Sequence, residues 1–261
     1  MIAAQRRPWL ARYLTGHISR RLRRSFAALH LHGAEALRRA AREHPLLIVV
    51  NHTSWWDGLV LVYLTRRVLE LDGYALMDAA NLRALPFFGA LGAFGLDLQS
   101  PQDVAAGLHY AAGLLDRPGR VVWVFPQGRE QPSGTRPLGF RRGAARIAQL
   151  APEARVVPMA LRYELGPVER PLLYVSFGAA LPPALTSLPG AIEQQCAAQE
   201  AGVIAELDRI ERALRLDASA ADAVFERLWL HRPGWAARAA LALLCRAARG
   251  AGASRPRAGE G

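Results

Sequence analysis

The chain has 261 residues, of which 51% are hydrophobic, and a formal net charge of +11 at pH 7. This length and apolar content suffice for one domain with a substantial core, and they exclude a disordered or purely solvating chain. The chain has no lysine, so all 33 of its Lys and Arg positions are arginines. The positive charge concentrates at the two ends: residues 1–45 carry ten arginines and two glutamates, and residues 225–261 carry seven arginines and two glutamates.

The first part of the chain is predicted to be helical over residues 7–43, within a basic amphipathic N-terminal segment 1–45. Its apolar stripe, with near-helical spacing, consists of Leu10, Leu14, Ile18, Leu22, Phe26 and Leu29. Trp9 and Tyr13 add aromatic rings of the kind found at membrane interfaces, and arginines flank them. Such a helix suits the headgroup region of an anionic membrane, but its stripe also suits packing on the protein's own core.

From residue 46 onward, predicted strands alternate with predicted helices. The strands are expected at 46–50, 73–77, 95–98, 120–125, 155–162 and 171–178. The helices are expected at 57–70, 81–93 with an interruption at Pro86, 102–116, 140–150 and 188–230. This alternation predicts an α/β domain over residues 46–230, with a mixed, mostly parallel sheet flanked by helices. Residues 231–261 are expected to form a basic helical C-terminal segment, with a helix at 235–248 and a disordered tail.

A histidine and an aspartate, His52 and Asp57, lie five residues apart directly behind the apolar run 46–50. A buried strand there would place the imidazole at its end and the carboxylate in the first turn of the next helix. A neutral imidazole accepts a proton from a hydroxyl, and a carboxylate on its other nitrogen fixes the tautomer and stabilises the imidazolium. The pair is therefore a candidate general base with its orienting partner. Taken alone, it also fits a strand-end histidine and a helix-capping aspartate.

Three further motifs follow. The segment 125–130, Phe-Pro-Gln-Gly-Arg-Glu, comes directly after the apolar run 121–124, and its proline and glycine indicate a turn. The segments 139–144, Gly-Phe-Arg-Arg-Gly-Ala, and 156–160, Val-Val-Pro-Met-Ala, come next. Ligands of open α/β sheets gather beyond the carboxyl ends of strands, so His52 is expected to converge with the segment 125–130.

Together with Asn51, His52 and Asp57, these motifs resemble the glycerolipid acyltransferase family, of which the chain would be a divergent member over about residues 45–180. The best-known members acylate lysophosphatidic acid. The resemblance implies that His52 deprotonates the acceptor hydroxyl, which attacks an acyl thioester without an acyl-enzyme, and that Asp57 orients His52. The substrate-binding positions that it implies are Phe125, Pro126, Gln127, Gly128, Arg129, Arg141 and Arg142.

The expected reaction moves a fatty acyl group from acyl-CoA or acyl carrier protein to a hydroxyl of a lysophosphatidic acid- or lysophospholipid-like acceptor. No cofactor is expected, and no His-Glu-x-x-His or Cys-x-x-Cys motif indicates a metal site. No run of ~18 apolar residues indicates a spanning helix. The protein is therefore expected to lie peripherally on an anionic membrane, at its cytoplasmic face. The basic ends do not belong to a recognised nucleic-acid module, so nucleic acid is not expected as a partner.

Several departures from the family pattern leave the acceptor open. Gln127 stands where the family usually has glutamate, Arg129 replaces its threonine and Glu130 replaces its arginine. The stretch 95–100 also lacks an arginine that the family tends to carry. Because arginines match phosphates with paired hydrogen bonds, their loss favours a sugar hydroxyl on a glycolipid or glycosylated carotenoid as the competing acceptor. A lipid-binding homologue without catalysis, and a thioester hydrolase, are the two further alternatives.

Overall fold

The computed structural model describes residues 1–166, 169–182, 190–216 and 218–230, and within them eight strands form one sheet. The strands are β1 (Ala28–His32), β2 (Leu46–Val50), β3 (Asp72–Asp78), β4 (Ala93–Leu96), β5 (Arg120–Val124), β6 (Arg155–Glu164), β7 (Leu172–Phe177) and β8 (Glu226–Trp229). The helices are α1 (Pro8–Ser25), α2 (Ala34–Glu43), α3 (Trp56–Tyr63), α4 (Ala79–Ala84), α5 (Phe87–Leu91), α6 (Pro101–Gly113), α7 (Gly143–Leu150), α8 (Ala191–Leu214) and α9 (Ala218–Val224). A π-helical turn, Leu64–Val68, continues α3.

The sheet follows the order β4-β3-β5-β2-β6-β7-β1-β8. The five strands from β4 to β6 are parallel, β7 is antiparallel to β6 and parallel to β1, and β8 is antiparallel to β1. The predicted α/β fold with a mixed, mostly parallel sheet is therefore confirmed, and so is the predicted N-terminal helical region.

The central strand β2 explains why a continuous apolar run predicted its position well. All five of its residues are buried, and they alternate between two apolar clusters on opposite faces of the sheet. Leu46, Ile48 and Val50 join one cluster, and Leu47 and Val49 join the other. A strand covered on both faces needs apolar residues at every position, and helices supply that cover in a parallel sheet.

Two predicted helical stretches are wrong in part. Residues 28–32, assigned to the N-terminal helical segment, form β1 inside the sheet, and residues 226–229, assigned to a helix, form β8 at its edge. The near-helical stripe ends at Phe26, which is extended, and Gly33 then turns the chain into α2 with φ 76°. A side chain at position 33 would collide with the Phe177 carbonyl oxygen, 2.3 Å from an ideal Cβ. The sheet thus begins before residue 45.

The apolar stripe of α1 packs on the protein's own core. Ile18 and Leu22 are buried, and α1 contacts α3 and α5. The aromatic residues Trp9 and Tyr13 instead remain 71% and 65% exposed. No helix in the described part of the chain is long and apolar enough to cross a bilayer. The predicted helix at 235–248 and the tail after it lie outside the described residues.

Candidate active site

The candidate histidine leaves the carboxyl end of β2 from a rigid backbone. Asn51, directly before it, is buried, and its side chain donates to the Leu161 carbonyl oxygen at 2.9 Å and accepts from the Leu161 amide at 2.8 Å. These two hydrogen bonds tie the end of β2 to the neighbouring strand β6. His52 therefore leaves a fixed point of the sheet, with its side chain 23% exposed.

The carboxylate of Asp57 is fully buried, yet it has several donors. Its Oδ2 lies 2.7 Å from His52 Nδ1 and accepts from the amides of Thr53 at 2.7 Å and Ser54 at 3.0 Å. Asp57 also lies in the first turn of α3, where the helix dipole favours a negative charge. With Nδ1 donating to the carboxylate, the lone pair of His52 lies on Nε2, which is the nitrogen left for a substrate.

The second carboxylate oxygen has a partner that sequence reasoning missed. Tyr163, near the end of β6, donates its hydroxyl to Asp57 Oδ1 at 2.6 Å. Burial and the negative charge of Asp57 raise the Tyr163 pKa, so the hydroxyl stays protonated and remains a donor. No local pattern marks Tyr163, because it reaches Asp57 only through the pairing of β6 with β2.

The second motif meets the first, as the sequence predicted. The Phe125 ring stacks on the His52 imidazole with 4.2 Å between ring centroids. Gln127 is only 3% exposed, and its Oε1 accepts from the His52 amide at 2.6 Å. The Gln131 amide donates to the His52 carbonyl oxygen at 2.9 Å. The loop after β5 therefore holds the backbone of the candidate base from both sides.

The remaining predicted site residues divide into two groups. Gly128, with φ 69°, and Arg129 line the same cleft as His52. The Arg141 guanidinium lies against Gly128, since a Cβ there would come within 3.1 Å of it, and the Arg141 amide donates to the Pro126 carbonyl oxygen at 2.9 Å. Arg142 is not brought to the cleft: it is exposed and forms an ion pair with Glu193 at 2.9 Å.

A glutamate from α8, also missed, holds the loop that leads into α7. The Glu200 carboxylate accepts three backbone hydrogen bonds, from the amides of Leu138 at 2.8 Å, Gly139 at 3.1 Å and Phe140 at 2.9 Å. Hydrogen bonds to a charged acceptor are stronger than neutral ones, so this contact fixes the approach to Arg141.

His52 opens onto a cleft of about 590 Å³ that runs along β3. The wall includes six consecutive residues of β3, from Gly73 to Asp78, together with residues from α3, the π-turn and α5. Its apolar side chains include Leu61, Val62, Leu76, Met77, Leu85, Phe88, Leu91, Leu98 and Trp123. The cleft thus joins a histidine–carboxylate pair to an apolar groove large enough for a lipid chain.

The model of the family described as Acyltransferase matches residues 28–162, just over half of the chain. No curated protein matches the sequence. The matched range contains the two motifs that meet at the cleft, His52 with Asp57 and the segment 125–130, and it also includes β1. Tyr163 is the first residue beyond it. The motifs, the fold and the family match agree, and the chain therefore belongs to the acyltransferase family.

Proposed function

We propose that the protein is an O-acyltransferase that moves a fatty acyl group from acyl-CoA or acyl carrier protein to a hydroxyl of a lipid acceptor. The observation that carries this proposal is the hydrogen bond between His52 Nδ1 and Asp57 Oδ2, 2.7 Å long, at the opening of an apolar cleft. This hydrogen bond orients His52 beside a groove that is apolar enough to hold an acyl chain.

The reaction follows from this geometry. His52 Nε2 takes the proton of the acceptor hydroxyl as its oxygen attacks the thioester carbonyl, and Asp57 stabilises the imidazolium that forms. The tetrahedral intermediate then collapses: the carbon–sulfur bond breaks, and the thiolate takes the proton back from His52. The acceptor oxygen is itself the nucleophile, so no acyl-enzyme is required.

The position of Gln127 bears on the choice of acceptor. Its side chain is buried and its Oε1 already accepts from the His52 amide, so this oxygen supports the backbone of the candidate base and does not face a sugar hydroxyl. The side chains of Arg129 and Arg141 are both exposed near Gly128. Guanidinium groups there favour an anionic headgroup, so we propose a lysophosphatidic acid- or lysophospholipid-like acceptor over a glycolipid or a glycosylated carotenoid.

The exposed side of α1 supports a peripheral position on an anionic membrane. Trp9 and Tyr13 are one helical turn apart and point to solvent, and Arg12 and Arg20 are exposed on the same helix. Aromatic rings among arginines favour the headgroup region, where the rings are buried at the interface and the guanidinium groups meet phosphates. On this arrangement the lipid acceptor is drawn from the membrane surface.

The test is an acylation assay with purified protein, long-chain acyl-CoA or acyl carrier protein, and a panel of lysophosphatidic acid, lysophospholipid and glycolipid acceptors. We expect an esterified lysolipid, and no product with His52→Ala. The matched control is His109→Ala, which removes an exposed histidine on α6 and should leave turnover unchanged. Free fatty acid released without acceptor would instead indicate hydrolysis, and lipid binding without turnover would indicate a non-catalytic homologue.

A further inference from the structure

A second cleft, of about 580 Å³, lies where the start of α1 meets the π-turn. Its wall carries five arginines, which we name the arginine cleft: Arg6, Arg7, Arg12, Arg66 and Arg67. The first three come from the beginning of the chain and the last two from the π-turn, some sixty residues later. The fold alone therefore brings these charges together.

The positive charge of the arginine cleft is poorly compensated. In the described part of the chain, Arg6 alone of the five forms an ion pair, and its partner is Asp72. That carboxylate is shared, since Arg120 lies 3.3 Å and Arg117 lies 3.6 Å from its other oxygen. Four guanidinium groups of the cleft thus have no carboxylate within salt-bridge distance among the described residues.

Arg66 is the most unusual of the four. Its side chain is half-buried, and burial, followed by the nearby charge of Arg6, lowers its pKa. No hydrogen bond to its guanidinium is found within the ranges that the structure describes. A partly buried charge without a partner is costly, and groups whose pKa is shifted in this way cluster at functional sites. Its place in a π-helical turn agrees with this, because such turns frequently occur at functional sites.

We infer that the arginine cleft is a binding site for a phosphate monoester. A monoester carries close to two negative charges and three terminal oxygens, which match several guanidinium groups better than one carboxylate does. The planar fork of arginine binds pairs of these oxygens bidentately. Such a ligand would supply the counter-charge that Arg66 lacks.

This site is centred away from the His52–Asp57 pair. Arg66 lies ten positions after Trp56, the first residue of α3. At the helical rise, this offset separates Arg66 from the end of α3 that holds Asp57 by about 15 Å. A phosphate that is only a few bonds from the reacting hydroxyl therefore cannot lie in the arginine cleft while that hydroxyl contacts His52. Arg66 nevertheless lines the cleft of His52 as well, so the two clefts share a wall.

Two sources of a phosphate monoester suit this position. One is the 3′-phosphate of a coenzyme A donor, which an extended arm separates from the thioester. The other is the headgroup of phosphatidic acid in a bilayer, because the arginine cleft borders the side of α1 that exposes Trp9. The chemistry recognised is the same in both cases.

The test measures binding at low ionic strength, without any assay of turnover. The first arm titrates 3′,5′-adenosine bisphosphate, with adenosine as the uncharged control. The second arm measures co-sedimentation with phosphatidylcholine vesicles that contain or lack phosphatidic acid. We compare the wild type with Arg66→Gln, with Arg67→Gln, which replaces an exposed residue and should fold normally, and with Arg146→Gln, an exposed arginine of α7 outside the cleft.

We expect phosphate-dependent binding in at least one arm, weakened roughly tenfold or more by Arg66→Gln and by Arg67→Gln but not by Arg146→Gln. Binding of the adenosine bisphosphate identifies the donor as the source, and binding to phosphatidic acid alone identifies the bilayer. If the wild type binds in neither arm, or if all three variants bind equally well, the inference is overturned. Because His52 takes no part in this measurement, that result would leave the proposed acyl transfer intact.

Discussion

The Tyr163 hydroxyl donates to Asp57 Oδ1 at 2.6 Å, while His52 Nδ1 lies 2.7 Å from Oδ2 of the same carboxylate. Each oxygen of the buried aspartate therefore has its own side-chain partner. A carboxylate held at both oxygens cannot rotate, so the direction of the imidazole is set by a residue of β6 as well as by α3. Tyr163 is in this sense a positioning residue.

Tyr163→Phe should lower kcat several-fold with little change in KM for either substrate, because the orientation of His52 loosens while the cleft stays intact. Leaving a buried oxygen without its donor should also lower the free energy of unfolding by about 1–3 kcal/mol. Steady-state kinetics and urea unfolding measure the two effects. Tyr174→Phe is the matched control, since Tyr174 is buried against His30 and away from the dyad; equal losses in both variants would argue against a positioning role.

Asp57→Asn should reduce kcat by roughly 10²- to 10⁴-fold, because a neutral amide does not stabilise the imidazolium. The fold should survive. The amide oxygen can still accept from the amides of Thr53 and Ser54, and the amide nitrogen can donate to the Tyr163 oxygen. Circular dichroism and turnover measured on the same preparation check this. Normal turnover in a folded variant would show that the carboxylate does not assist His52.

Gln127→Met should lower both stability and turnover. Methionine has a similar length but offers no strong acceptor, so the His52 amide would lose its partner at a cost of about 1–3 kcal/mol. Gln127→Glu restores an acceptor at the same place and should retain more of the activity than methionine does. Thermal unfolding and kcat of the two variants form the comparison. The hydrogen bond would be irrelevant to function if the methionine variant matched the wild type.

Stability should fall as the pH drops below neutrality, and His30 should account for part of that loss. Burial, followed by the charge of Arg227, lowers the pKa of His30 from 6.5 to about 4. Protonation therefore favours the unfolded chain, so the contribution of neutral His30 is complete above pH 6.5 and is lost as the pH falls towards 4. The full loss is on the order of 3 kcal/mol.

His30→Phe should flatten this pH dependence, because phenylalanine keeps the stacking on Tyr174, at 4.4 Å between ring centroids, and does not titrate. Urea unfolding of the wild type and the variant between pH 6.5 and pH 4 provides the measurement. The other ionisable groups are common to both proteins, so the difference between the two curves isolates His30. Parallel curves would rule out its contribution.

The double substitution of Trp9 and Tyr13 by alanine should weaken binding to anionic vesicles about tenfold, because two exposed rings no longer enter the interface. The fold should be unaffected, since both side chains point away from the core. Trp229→Ala, which removes a 48% exposed ring on β8, is the control and should bind as the wild type does. Equal vesicle binding by the wild type, the double variant and Trp229→Ala would show that α1 does not contact the membrane.

Local sequence was sufficient for the strands and loops that carry the two motifs. The run Leu46–Val50 is apolar at every position because it is buried on both faces, and the proline and glycine of 125–130 end β5. Parallel strands end at one edge of the sheet, so the meeting of His52 with Gln127 could be predicted. The sequence left open which atom of Gln127 contacts His52. In the structure it is Oε1, which accepts from the His52 backbone amide.

The remaining features depend on pairings between distant segments. The strand β1 continues a helical pattern in the sequence and is a strand because β7 and β8 pair with it on either side. Tyr163 meets Asp57 across 106 residues of chain, and the arginine cleft joins residues separated by about sixty positions. No window of local sequence contains both partners, so neither periodicity nor composition could predict them.

The hydrogen bond from the His52 amide to Gln127 couples the choice of acceptor alcohol to the position of His52, two properties that an engineer would wish to vary separately. In the proposed reaction, the loop after β5 both faces the incoming alcohol and supports His52, so exchanging the loop to admit a new alcohol would also disturb proton transfer. Libraries intended to redirect this protein should therefore keep a side-chain oxygen at position 127 and diversify its exposed neighbours, Arg129 and Glu130.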